Sequence, residues 1–140
     1  MRYAILILLA AACFAQVYIP PAPKQMWDTW LFQKGVEFHM FYLQNDPGKI
    51  WDSIGRAVSK DLIHWKTLPM IESNGPAGAW DSGPTLTGIT LEHGGKYLMF
   101  YAAQPTSGQS IGLMESPDLV TWKKHDRNPL LVSRPPHYAG

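Results

Sequence analysis

Gly55-Arg56-Ala57-Val58-Ser59-Lys60-Asp61-Leu62-Ile63-His64-Trp65 returns later in the chain as Gly112-Leu113-Met114-Glu115-Ser116-Pro117-Asp118-Leu119-Val120-Thr121-Trp122. The likeness extends upstream of both copies. Phe38-His39-Met40-Phe41-Tyr42 precedes the first, and Tyr97-Leu98-Met99-Phe100-Tyr101 precedes the second. Further upstream stand Trp27-Asp28-Thr29 and Trp80-Asp81-Ser82. The period is roughly 55–60 residues, near the longest spacing of four-stranded propeller blades, about 50. Each copy therefore reads as one blade, and a propeller sets the first strand of every blade around a central funnel. Asp28 and Asp81 then stand where those first strands begin.

The fold class is all-β. Glu37 to Leu43 is the strongest strand, with Phe38, Met40 and Tyr42 on one face and His39, Phe41 and Leu43 on the other. Both faces are largely apolar, as expected of a strand lying between two neighbouring blades. Tyr97 to Ala102 repeats the pattern, and Gly35 and Gly94-Gly95 supply hairpin turns ahead of these strands. Ser53 to Ser59 and Gln109 to Ser116 are the next strands. Each Ser-x-Asp-Leu-x-x-Trp element makes a turn in which the Asp accepts backbone N–H bonds and the Trp folds back as a packing anchor. No segment has an amphipathic helical period.

Domain organisation follows from the repeat: blade one at about residues 27–72, blade two at about 80–132, and a Pro-rich approach segment at 16–26 expected to run extended. Repeat units bury their apolar faces only against neighbours, and about three or more are needed for stability. Two blades leave open edges, so the chain is expected to be the front part of a larger propeller; a small complete β domain is the alternative. Residues 1–15 have the form of a signal peptide, with Arg2 ahead of Ile5-Leu6-Ile7-Leu8-Leu9 and a small residue, Ala15, at the cleavage point. The apolar run is shorter than the roughly 20 residues of a membrane-spanning helix. The expectation is a secreted or periplasmic protein with no membrane span. The single cysteine, Cys13, lies inside this segment, where Leu9-Ala10-Ala11-Ala12-Cys13 offers a lipid-anchor reading as the alternative.

A net charge of +1 with dispersed Lys and Arg argues against a nucleic-acid partner. His64, His93, His125 and His137 share no metal-ligand spacing, and no Cys completes a zinc set, so no metal or cofactor is expected. His39 lies within a strand and reads as a core histidine. Asp46-Pro47-Gly48 reads as a hairpin turn, and Asp61 and Asp118 as scaffold residues of their turns. Phosphate loops and nucleophile elbows are missing from the sequence.

The Phe38–Tyr42 and Gly55–Trp65 strings closely resemble the first-blade segment of glycoside hydrolase family 32. The order continues with Trp80, Ser82-Gly83, Tyr97–Tyr101, Gln109-Ser110-Ile111, Trp122 and Asn128-Pro129-Leu130. The resemblance covers nearly all of the chain after residue 15 and extends to relatives such as family 43. It implies a five-bladed propeller with a funnel active site, a carbohydrate substrate, and three acidic residues. The first-blade carboxylate of these families precedes the first apolar strand, and Asp28 is the matching position. Where family 32 usually shows Trp-Met-Asn-Asp-Pro-Asn-Gly, this chain has Met26-Trp27-Asp28-Thr29-Trp30; where it shows Trp-Ser-Gly-Ser, this chain has Trp80-Asp81-Ser82-Gly83, with Asp81 extra. Arg56 stands in place of a common His. The other two acids come from later blades and match no residue here.

Glycosidic cleavage uses two carboxyl groups, an acid for the leaving oxygen and a nucleophile or water-activating base. Asp28 fits the second role: a nucleophile under the retaining mechanism of family 32, or a base under the inverting mechanism of family 43. A structural Asp at a strand entry is the plainer reading, and its recurrence at Asp81 favours that reading. Trp27, Trp30, Trp80, Asp81 and Ser82 are candidate substrate contacts, with inter-blade packing as the alternative for the three tryptophans. The expected function is a glycosidase cleaving β-fructosides or arabinosides and xylosides. The alternatives are a non-catalytic carbohydrate-binding propeller and a structural β protein.

Overall fold

The computed structural model describes residues 18–105 and 108–133. These form nine strands: β1 Gln25–Lys34, β2 Glu37–Asn45, β3 Ser53–Ser59, β4 Lys66–Glu72, β5 Thr85–His93, β6 Lys96–Ala103, β7 Ser110–Ser116, β8 Lys123–Lys124 and β9 Leu131–Val132. They make two antiparallel sheets, β1-β2-β3-β4 and β5-β6-β7-β8, with β9 pairing β7 beyond the end of β8. Gly35 (φ 58°) and Gly94-Gly95 (φ 58° and 74°) close the hairpins β1–β2 and β5–β6. Tight hairpin loops need positive φ to match the twist of their strands.

The expected alternation of β2 is observed, and its two faces serve different partners. Phe41 joins Ile54 and Ile71 of sheet one to Tyr97, Met99, Tyr101, Met114 and Leu119 of sheet two in the main core. Trp30 stacks on Phe41 at 5.7 Å, Trp122 meets the same ring edge-on at 5.9 Å, and Phe32 meets Tyr97 edge-on at 5.6 Å. On the far face of sheet one, Met40, Tyr42 and Ala57 form a second cluster, against which Tyr18, Met26 and Trp65 pack. β1 packs beside β5, so the first strands of the two sheets are neighbours.

The two Ser-x-Asp-Leu-x-x-Trp turns share one hydrogen-bond pattern. Asp61 Oδ1 accepts from the N–H groups of Ile63 and His64, and Asp118 Oδ1 from those of Val120 and Thr121. Trp65 Nε1 donates to the Leu62 carbonyl, and Trp122 Nε1 to that of Leu119. Both leucines occupy the left-handed region, at φ 63° and 66°, which is costly for a residue with a Cβ. Their surroundings differ. Leu119 is fully buried against sheet one, whereas Leu62 is 46% exposed. Arg56 makes the second turn a docking point. It is buried, and it donates from Nη2 to the Leu119 carbonyl at 2.7 Å and from Nη1 to that of Val120 at 3.1 Å.

Two details differ from the sequence reading. The approach segment does not run extended throughout: Lys24 N–H donates to the Pro21 carbonyl at 3.1 Å, closing a turn, and β1 begins at Gln25. The two Trp-Asp pairs also differ in their setting. Asp28 is the fourth residue of β1, while Asp81 lies in the linker 73–84, before β5 starts. The proposed signal segment and the residues after Ser133 lie outside the described residues.

Candidate active site

Asp28 owes its position to a β-bulge. Trp27 pairs with Leu43 and Thr29 pairs with Tyr42, so Asp28 is an extra residue with no partner on β2. Such bulges twist a strand and re-aim one side chain, and they recur beside active sites. β1 is the outer edge of its sheet and lies next to β5. Asp28 is exposed, and among the described residues its side chain takes part in no hydrogen bond or ion pair.

The same end of sheet one carries the β2–β3 connection and the linker from β4 to β5, because Gln25 pairs with Asn45 and Ser53 pairs with Glu72. Trp27 is 63% exposed, and its ring lies 5.9 Å from that of Trp51 at an interplanar angle of 57°. Two tilted indoles, one of them the residue before Asp28, offer apolar faces suited to the C–H face of a sugar ring. Trp51 is held by its backbone: its carbonyl accepts from Thr85 N–H at 2.7 Å. Next to it, the Asp52 carbonyl accepts from the N–H and hydroxyl of Ser73, at 3.4 and 3.0 Å. Thr85 is fully buried, and its hydroxyl bonds to Asn74 Oδ1 at 2.9 Å and to the Ser73 hydroxyl.

The remaining candidates are occupied in different ways. Trp30 is an inter-sheet packing residue: it stacks on Phe41, and its Nε1 donates to Thr90 Oγ1 at 3.0 Å. Trp80 packs on Tyr101 at 5.7 Å, and its ring covers Gly112 so closely that a Cβ there would collide with it. Asp81 is 3% exposed and ion-paired with Lys124 Nζ at 2.6 Å, while the Tyr101 hydroxyl donates to the same carboxylate oxygen at 3.3 Å. Burial, then the Asp81 charge, pushes the Tyr101 hydroxyl far above the ordinary phenol range, so it stays protonated and donates. Ser82 is half-buried, and its hydroxyl donates to the Ala79 carbonyl at 2.8 Å. The structure thus sets the rings of Trp27 and Trp51 together, with Asp28 the next residue along β1, and packs or pairs Trp30, Trp80 and Asp81 with neighbouring side chains.

Trp51 was missed in the sequence although a signal was present. Trp51-Asp52 is a third Trp-Asp pair, set inside the first repeat unit just ahead of β3. A cleft of about 380 Å³ lies at the other end of sheet one between Glu37, Ser59, Lys60, Asp61, His64 and Lys66. Among the described residues no group of three or more His, Cys, Asp or Glu is placed to hold a metal ion. Nor is any helix there long and apolar enough to cross a membrane.

The family model for the glycosyl hydrolases family 32 N-terminal domain matches residues 28–140. The chain belongs to glycosyl hydrolase family 32. It is 36% identical over 115 residues to an acid beta-fructofuranosidase of Vicia faba, covering 75% of this chain and 17% of that protein. Among solved structures it is similar to fructan 1-exohydrolase IIa from Cichorium intybus, with a TM-score of 0.66 and 27% identity over 84% of this chain and 23% of the other. A thermostable family-43 glycoside hydrolase shares the fold at a TM-score of 0.60 and 22% identity, over 78% of this chain and 39% of that one. The chain therefore spans about a sixth of the length of the curated family 32 relatives it matches. The match to the family model begins at Asp28 itself.

Proposed function

We propose that the protein is a glycoside hydrolase acting on fructose-containing oligo- or polysaccharides, with Asp28 as the nucleophile. One observation carries this reading: a single extra residue in β1 breaks the strand register, and that residue is Asp28, exposed, without a side-chain partner among the described residues, and next in sequence to Trp27 of the Trp27–Trp51 pair. The family match and the beta-fructofuranosidase relatives support the fructoside class. In this reading the two sheets are the first two blades of a five-bladed propeller, β1 and β5 line its funnel, and Trp27 and Trp51 flank the bound sugar. Trp30, Trp80 and Asp81 are assigned to the scaffold. Ser82, on the linker at the same end, is retained as a substrate contact. No residue of this chain is assigned as general acid. The N-terminal 1–15 segment is proposed to direct export, which places the enzyme with extracellular or periplasmic carbohydrate.

The test compares wild type with Asp28→Asn in the intact gene product, on a panel of fructans, arabinosides and xylosides. Asparagine keeps the size of the side chain and removes the nucleophilic oxygen. Turnover should fall by roughly 10⁴-fold or more, the scale of loss when a covalent nucleophile is removed, with binding of fructan retained. Equal turnover in the two proteins removes Asp28 from the chemistry. Saccharide binding without turnover in wild type converts the reading to a carbohydrate-binding propeller.

A further inference from the structure

Asp81, on the linker between β4 and β5, is a carboxylate only 3% exposed. Burying a charge is costly unless it is paired and hydrogen-bonded. Here the partner is Lys124 of β8, 2.6 Å away and 43 residues on in sequence. Tyr101 of β6 supplies the second donor. These two strands grip the linker 73–84 from the side of sheet two, and the Asp81 carbonyl ties back to the start of the linker through Gly75 N–H at 3.0 Å.

The linker is fastened at both ends to the segment that carries Trp51. Ser73, at one end, donates twice to the Asp52 carbonyl. Thr85, immediately after the other end, donates its N–H to the Trp51 carbonyl and its hydroxyl to Asn74. Trp51 therefore has little freedom to move unless the linker moves with it. Its ring in turn rests against Trp27, one residue from Asp28.

We propose that Asp81 is a positioning residue: its buried ion pair with Lys124 clamps the linker, and the linker holds Trp51 against Trp27 in the geometry that grips a sugar ring beside Asp28. The sugar-binding half of this inference rests on the function proposed above; the clamp itself does not. Loosening the pair should weaken ground-state binding without touching the reacting atoms, which appears as a raised KM with kcat retained.

Two tilted indoles 5.9 Å apart couple excitonically, so the circular dichroism that Trp27→Phe removes reports their geometry without any substrate. In Lys124→Met that component should fall to less than about half, and KM should rise about tenfold, a loss of roughly one decade of binding. Lys124→Arg, which keeps the positive charge, should restore both. Leu119→Ala, which loosens the opposite end of sheet two, should lower stability and leave the indole component intact. Should Lys124→Met fail to fold, Asp81→Asn/Lys124→Met removes both charges together and carries the same two readouts. A folded variant with an unchanged indole component overturns the clamp, whatever its activity. An altered indole component with unchanged KM overturns the link to sugar binding. Failure of the glycosidase reading shows elsewhere, as equal turnover in wild type and Asp28→Asn.

Discussion

Replacing Arg56 by Met tests how the two sheets are joined. The guanidinium is 3% exposed and donates to two carbonyls of the Ser116–Trp122 turn, at 2.7 and 3.1 Å. Burial lowers its pKa, and the neighbouring Asp118 charge partly counters this. Each hydrogen bond from a charged donor contributes about 1.5–3 kcal/mol. Methionine fills much of the same space but leaves two carbonyls without donors in a closed interface. Relief from keeping a charge buried offsets part of that loss. The expected net destabilisation is about 2–4 kcal/mol, well outside the ±0.5 kcal/mol typical of surface changes. Urea unfolding of the intact gene product measures it, and hydrogen exchange at residues 119–122 should show local opening of the turn. Arg56→Lys should fall between, because an ammonium is a point donor and cannot reproduce the planar fork. A loss below about 1 kcal/mol for Arg56→Met would falsify the view that this side chain staples the sheets.

Leu119→Ala in the intact gene product should cost about 2–5 kcal/mol, as for a fully buried leucine, read from the urea midpoint; a loss below about 1 kcal/mol would contradict its packing between the sheets. His39 is buried, and among the described residues neither ring nitrogen has a hydrogen-bond partner, Glu37 Oε2 lying 3.9 Å from Nε2. Burial lowers its pKa, opposed by Glu37 and aided by Arg56 and Lys34. The folded protein thus favours neutral imidazole, so this contribution to stability is complete above about pH 6.5 and is lost as pH falls through the lower folded value. His39→Leu should flatten the pH dependence of the melting temperature below about 6.5, and an unchanged slope would contradict it.

Local chemistry was legible in the sequence. Hairpin glycines, the alternating faces of β2 and the Ser-x-Asp-Leu-x-x-Trp turns depend on residues within a few positions of one another. Their hydrogen bonds, such as Asp61 to Ile63 and His64, close over two or three residues. The repeat itself announced two sheets of matching pattern. Tertiary structure decided which copy of each repeated residue is buried and which is free. Asp28 and Asp81 follow the same tryptophan type, yet one sits unpaired in a bulge while the other is neutralised by a lysine 43 residues away. Leu62 and Leu119 hold the same place in two copies of one turn, and among the described residues only the second has Arg56 and a facing sheet to receive it. Burial and pairing are set by partners distant in sequence, whose approach depends on how whole sheets pack, and a repeat written in one dimension carries no record of that.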